Sequence, residues 1–453
     1  MPPSLTREQV QSMASDASSV KSGLGLANGS KWQLLGANAE ALWGECKGSG
    51  KNPYQTQIDL STFTTRCSCP SRKFPCKHAL GLMFLYADQI PQLSTVSEAT
   101  QWVAEWIEGR KTRAAKKEEK AANAKPANPE KQAASIVKRK ETRWKRIESG
   151  VQELQRWLGD QFTQGFASFS PSHYAQWENM AARMVDAQAP GLARMIREAL
   201  SLMQSGSEHQ QEAIEQLGLA QLLCNAALRR TELAPEKLAD IQTALGWSLE
   251  KDEIQSTRTP VTDHWVVLGQ ITEDYDARLT ERRTWLYGTQ TKQYALLLDF
   301  AFKGQGGLTW SWVNQYTYEA TLAYYPGSMP LRAILLEQNK ESNQFSLPPY
   351  MLEESINTSS VLLASNPWLV QTPVFLPDVL PLLHQDEWWV KTHAGYFLLN
   401  IHEPNCWNLM AFSAGEAIHL FAEWNGRTLR PLAAQHAKTP QKFWNHINPN
   451  IAV

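Results

Sequence analysis

"CSCPSRKFPCKHALGL", Cys67 to Leu82, packs three of the chain's six cysteines and one of its ten histidines into twelve residues. Just before it, Phe63, Thr65, Cys67 and Cys69 alternate as in a strand, so both thiols leave the backbone on one face. After it, Ala79, Leu82, Met83 and Tyr86 fall at i, i+3, i+4 and i+7, a helical stripe stopped by Pro91. The six residues "PSRKFP" turn the chain back between the two pairs, with a proline at each end. Cys76 and His78 stand two apart, about 200° around an ideal helix, and cannot both point inward from it. Cys76 therefore precedes the helix and His78 enters its first turn, which puts four donors at the junction of a hairpin and a helix.

Three thiolates and one imidazole form a recurring closed set for zinc, which takes four ligands in a tetrahedron. A lone C-x-C says little, since buried free thiols and a polar histidine give the same letters. Two donor pairs flanking a short rigid loop, strand before and helix after, are far more specific. The expectation is one structural Zn2+ on Cys67, Cys69, Cys76 and His78, with no position left for a reactive water. Its binding would supply much of the folding free energy of a unit with a thin core.

The pattern C-x-C-x6-C-x-H followed by an apolar helix resembles the SWIM-type zinc finger, and "LWGECKGSGKNPYQTQIDLSTFTTRCSCPSRKFPCKHALGL" resembles the SWIM proteins of bacteria. The motif-level likeness covers about residues 20 to 90; beyond them it is one of layout. It implies binding of DNA or protein. For the bacterial branch it implies an association with MoxR-type AAA+ ATPases and von Willebrand A (VWA) domain proteins, as an adaptor in a chaperone-like or metal-insertion assembly.

Outward from the motif, 453 residues, 43% of them apolar, suffice for about three cores. With 44 Lys plus Arg against 45 Asp plus Glu, no general attraction to nucleic acid or anionic lipid is expected. Neither a secretory leader nor a run of 18 apolar residues is found, so no membrane partner is expected and the cytoplasm is the expected compartment. Thiols stay reduced there, and Cys46, Cys224 and Cys406 are too scattered for a disulfide framework.

The expected fold class is α+β, in four stretches. Residues 1–109 form an N-terminal β+α unit, a small hairpin-plus-helix zinc finger at about 54–90 preceded by strands at "KWQLL" and "EALWGEC". Residues 110–141 read as a basic, flexible or partly helical linker: from Arg110 to Arg146 there are 14 Lys or Arg against 4 Asp or Glu, a net of +10, leaving −11 for the rest of a chain of net −1. Residues 142–255 read as a helical domain, on the faces Trp144, Ile147, Val151, Leu154, Leu158 and Leu192, Met195, Ile196, Ala199, Met203. In "PEKLADIQTALGW", Pro235 opens a third helix and Gly246 follows its last turn. Residues 256–453 read as a mixed domain with antiparallel strands, with helices at "SVLLASNPWLV" and "LPDVLPLL", a two-residue turn at Asn425 and Gly426, and no detectable internal repeat. Eleven of the 18 Trp lie between Trp247 and Trp444, mostly as core.

Arg66, Arg72, Lys73 and Lys77 surround the finger. They read either as cations offsetting the net −1 of three thiolates on Zn2+, or as a phosphate-binding edge. With Lys138, Arg139 and Lys140 of the basic segment they make DNA or RNA binding the alternative to a protein-interaction adaptor. Other motifs fail. "GSGK" at Gly48 has Glu45 and Asn52 where a P-loop needs Gly and Ser or Thr, and "GLGLANG" at Gly23 follows no strand. "HEPN" at His402 lacks the second histidine of a zinc protease; Glu273, Asp274 and Asp276 read as an acidic loop, and His384, Asp386, Glu387 and His393 as a loose polar group. No nucleophile, base or cofactor motif points to an enzyme.

Overall fold

The computed structural model describes residues 5–14, 17–48, 52–61, 63–71, 73–90, 93, 98–122, 129–166, 169–206, 209–274, 279–302, 312, 314, 316–344, 352–401, 403–439 and 442–445. The first unit opens with helices α1 (Arg7–Ser12) and α2 (Ala17–Leu24). Strands β1 (Trp32–Ala37), β2 (Ala41–Cys46), β3 (Tyr54–Asp59) and β4 (Thr64–Cys67) then form an antiparallel meander in that order. Helix α3 (Lys77–Ala87) covers it, and every residue from His78 to Leu85 is buried, so the helix is enclosed rather than striped. Val10, Met13, Val20, Leu42, Ile58, Leu82 and Phe84 share one core, a fuller one than the sequence suggests.

The basic segment is helical wherever it is described: α4 (Gln101–Ala122) and the 36-residue α5 (Pro129–Gln164) run through it. Ala, Lys, Glu and Gln, which dominate it, are strong helix formers, and Pro129 sits at the start of α5, where a proline costs little. Helix α5 continues into a bundle with α6 (Pro171–Asp186), α7 (Pro190–Ser205) and α8 (Gln210–Leu228), closed by α9 (Pro235–Ala244) and α10 (Lys251–Thr257). The two expected apolar faces are buried together with Trp177, Leu217 and Leu223. Pro235 does open α9, and Gly246 takes a φ of +83° after it.

The remaining strands build two barrels. Strands β5 (Val261–Asp274), β6 (Leu279–Gly288), β7 (Tyr294–Phe302), β8 (Tyr316–Tyr324) and β9 (Arg332–Gln344) close in the order β5-β6-β7-β9-β8, with β7 and β9 parallel. Helix α11 (Leu352–Ser365) leads to β10 (Thr372–His384), β11 (Glu387–Thr392), β12 (Gly395–Leu399), helix α12 (Glu403–Ser413), β13 (Ile418–Trp424), β14 (Thr428–His436) and β15 (Phe443–Asn445). Here β10 pairs with β11 and β13, and β12 pairs in parallel with β14, so the ring β10-β11-β12-β14-β13 closes as well, with β15 added outside β14. Both rings have the strand order 1-2-3-5-4 of oligonucleotide/oligosaccharide-binding (OB) barrels. The C-terminal half therefore contains an internal duplication of architecture, contrary to the expectation of no repeat.

Two further expectations fail locally. "LPDVLPLL" lies in strand β10 and not in a helix, because Pro373, Pro377 and Pro381 recur every four residues and each would remove a helical hydrogen bond. "SVLLAS" is the end of α11, but the helix stops before Asn366 and Pro367. The hairpin near Asn425 is present, yet Gly426 and Arg427 are its central residues: Gly426 alone has positive φ, at +92°, while the Asn425 side chain accepts hydrogen bonds from the Arg427 and Thr428 amides.

The barrels are packed face to face. Val266, Leu268, Trp285 and Tyr287 of the first share a core with Phe375, Phe421 and Leu432 of the second. Gly269 is required at this seam, since a Cβ there would lie 2.7 Å from that of Leu432. Among the described residues no helix is long and apolar enough to cross a membrane.

Candidate metal centre

Each of the four candidate ligands is delivered by a separate local feature. Cys67 is the last residue of β4, where it pairs with Thr56 of β3. Strand β4 ends there, so Cys69 follows in the turn, and Phe63 lies before the strand with a φ of +50°; the expected alternation holds only in its middle. The loop back contains a cis peptide at Phe74–Pro75. Cys76 is the N-cap of α3 in extended conformation, and His78 follows in the first turn, as its spacing predicts.

The donor atoms of Cys67, Cys69, Cys76 and His78 all lie within 4.8 Å of one another. His78 directs Nδ1 inward, 3.8 Å from the Cys67 sulfur and 4.0 Å from that of Cys76. A tetrahedral zinc ion places sulfur and nitrogen ligands about 3.5 Å apart and two sulfurs about 3.8 Å apart. The residues thus fit one zinc ion, whose binding would draw the widest pair of donors together by up to about 1 Å. All four donors are protein atoms, so the set fits a structural zinc, which would cross-link the end of β4, the loop and the start of α3.

The thiols alone make an unbalanced cluster. A hydrogen bond with Cys69, together with burial, pushes the Cys67 thiol up to about 11. Cys76, bonded to Cys67 and Cys69 and buried, is driven higher still, while hydrogen bonds from Cys67 and Cys76 hold Cys69 far below the usual thiol range. A divalent ion among the three sulfurs would favour the thiolate form of each. The N-terminus of α3, at Cys76, adds a partial positive charge favouring thiolate.

Two neighbours were not singled out from the sequence. The Thr56 hydroxyl lies 3.2 Å from the Cys67 sulfur, and the Tyr54 ring lies 4.9 Å from that of His78. Both alternate along β3, so the β3–β4 register was the signal that placed them.

Arg66, Lys73 and Lys77 are exposed around the centre, whereas Arg72 lies outside the described residues. A cleft of about 510 Å³ opens beside it, lined by Ser18, Ser22, Lys47, Tyr54, Lys73 and Lys77 among others and, among the described residues, by no carboxylate. Lys138 and Arg139 are exposed on α5, while Lys140 pairs with Glu253 at 2.9 Å. Glu273 is committed to Arg283 and Arg430, and His393 to Glu353; His402 and Asp276 lie outside the described residues.

Residues 54–87 match the SWIM zinc finger family, and residues 142–245 match the SWIM-associated four-helix bundle domain. The second match falls on α5 to α9, so the finger and the bundle are familiar companions. No curated protein and no solved structure matches the chain.

Proposed function

We propose that this protein is a zinc-stapled protein-interaction adaptor rather than an enzyme, working in the bacterial cytoplasm beside a MoxR-type AAA+ ATPase and a VWA domain protein. The observation that carries the reading is the closed donor set: Cys67, Cys69, Cys76 and His78 leave zinc no position for substrate, so the metal serves shape. The bundle that accompanies SWIM fingers and the two fused barrels then offer wide surface for partners. The test is retrieval of the tagged full-length chain from its native host, with and without nuclease. Nuclease-resistant recovery of an ATPase or VWA protein supports the adaptor; recovery of nothing, or of nucleic acid alone, rejects it.

A second reading, DNA or RNA binding, is favoured by the cleft lined by Lys47, Lys73 and Lys77, which has no carboxylate among the described residues, and by exposed Lys138 and Arg139. It requires affinity for an oligonucleotide to fall steeply between low and moderate salt, and to be lost when Lys138, Arg139 and Lys140 are changed together to Gln.

A further inference from the structure

The two barrels share more than strand order. On the outer face of the first, Trp285 of β6 stands opposite Leu296 of β7, and Tyr287 opposite Tyr294. On the second, Trp389 of β11 stands opposite Leu398 of β12, and Lys391 opposite Tyr396. Trp, Leu and Tyr thus recur at matching places, with Lys391 standing where the first barrel has Tyr287.

The fates of the two surfaces differ. In the first barrel, Trp285, Tyr287, Tyr294 and Leu296 are covered by Phe375, Phe421 and Leu432 of the second. Glu423, from the same covering face, accepts a hydrogen bond from the Trp285 indole N–H at 2.9 Å. In the second barrel the corresponding surface is open: Tyr396 is 59% exposed and Lys391 is exposed. The Trp389 indole N–H is shielded from water, yet has no acceptor among the described residues. A shielded donor without an acceptor is costly, and an apolar patch beside it marks a contact surface.

We propose that the outer face of β11 and β12 is a docking surface for a partner protein, which covers it with an apolar β-surface carrying a carboxylate, as the second barrel covers the first. The carboxylate faces Lys391 and, after small side-chain shifts, accepts from Trp389 as Glu423 accepts from Trp285. The proposal rests on the adaptor reading. A second copy of this chain cannot supply the equivalent cover, because Phe375, Phe421, Leu432 and Glu423 are already spent on the chain's own first barrel. Asp378, Asp386 and Glu387 flank Lys391 on β10, β11 and their turn, so the face accepts one carboxylate placed directly at Lys391, whereas a nucleic acid would carry a row of phosphates past those three acids. The match is not complete: Leu382 opposes Trp389 where Gly269 opposes Trp285, so the partner stands further off at that edge.

The test places p-benzoylphenylalanine at Tyr396 of the full-length chain and irradiates it in the native host. The expected product is one nuclease-resistant protein adduct, cross-linked at a strand that carries Asp or Glu. Lys391→Glu reduces it about tenfold, Lys391→Arg preserves it, and Trp389→Phe, which keeps a ring but removes the N–H, weakens it severalfold. No adduct, a nuclease-sensitive adduct, an adduct with a second copy, or indifference to Lys391→Glu overturns the proposal. If a Lys391→Glu chain still retrieves its partners in full, this face is wrong while the adaptor reading stands; if the unaltered chain retrieves none, the adaptor reading itself fails.

Discussion

Glu423 of the second barrel holds Arg283 of the first through two hydrogen bonds, 2.8 and 3.0 Å long, at a point where the carboxylate side chain is 1% exposed. The same carboxylate accepts from Trp285, and Arg283 also reaches Glu273 and Glu281. An ion pair so enclosed gives modest net stability, but removing one member strands the other charge.

Glu423→Ala is accordingly expected to cost about 3 to 5 kcal/mol in urea unfolding, because it leaves Arg283 buried against Glu273 and Glu281 alone. The double change Arg283→Met with Glu423→Leu costs less than that single change. If the double variant instead loses the sum of both singles, the two side chains are not energetically coupled and the assignment fails.

Acid weakens the first barrel and its seam with the second. Burial by itself would raise the Glu273 carboxyl, but Arg430 and Arg283 hold it below its ordinary 4.5. Asp263 is likewise held below 3.8 against the effect of burial, by Thr291 and the Gln290 and His264 amides. The folded chain binds these protons less readily than the unfolded one, so their contribution is complete above the ordinary values and fades as pH falls through the lower, folded ones. The urea midpoint is expected to drop on acidification from pH 5 toward about 3. A chain carrying Glu273→Gln and Asp263→Asn starts lower at neutral pH and drops less; an equal drop refutes the assignment.

Purified protein is expected to carry one zinc per chain, lost on Cys76→Ser or on chelation. Comparable small sites contribute on the order of 10 to 16 kcal/mol when metal binds. Because α1 to α3 share a substantial core, metal loss should strip hydrogen-exchange protection first from the end of β4 and the first turn of α3, leaving the bundle and barrels unchanged. Uniform loss of protection across the chain contradicts this.

In the bundle, Gly191 admits no side chain: a Cβ there would lie 1.8 Å from the Ala244 carbonyl oxygen, a backbone atom that cannot swing aside. Gly191→Ala is expected to cost about 1 to 3 kcal/mol in thermal unfolding. Gly159, on the exposed side of α5 with nothing near its Cβ position, behaves oppositely, and Gly159→Ala adds about 0.5 to 1 kcal/mol.

The metal centre was legible because its information is local: twelve residues carry all four donors, and a two-residue spacing places Cys76 before the helix and His78 within it. The bundle was legible for a similar reason, since Trp144 to Leu158 and Leu192 to Met203 show their faces within single helices. The barrels were not. Their closure depends on pairings far apart in the chain, such as Leu296 with Arg332 and Leu399 with Leu429. Their kinship survives in three matched residues, Trp285, Tyr294 and Leu296 against Trp389, Tyr396 and Leu398, with turns of different length between. In β10 the spacing of apolar residues suited a helix as well as a strand, and only its prolines argued otherwise.

Since Phe375, Phe421 and Leu432 are the roof over Trp285 and Tyr287, a premature stop codon between the barrels would lay bare a broad aromatic surface on an otherwise finished first half. Such a product invites clumping and proteolysis.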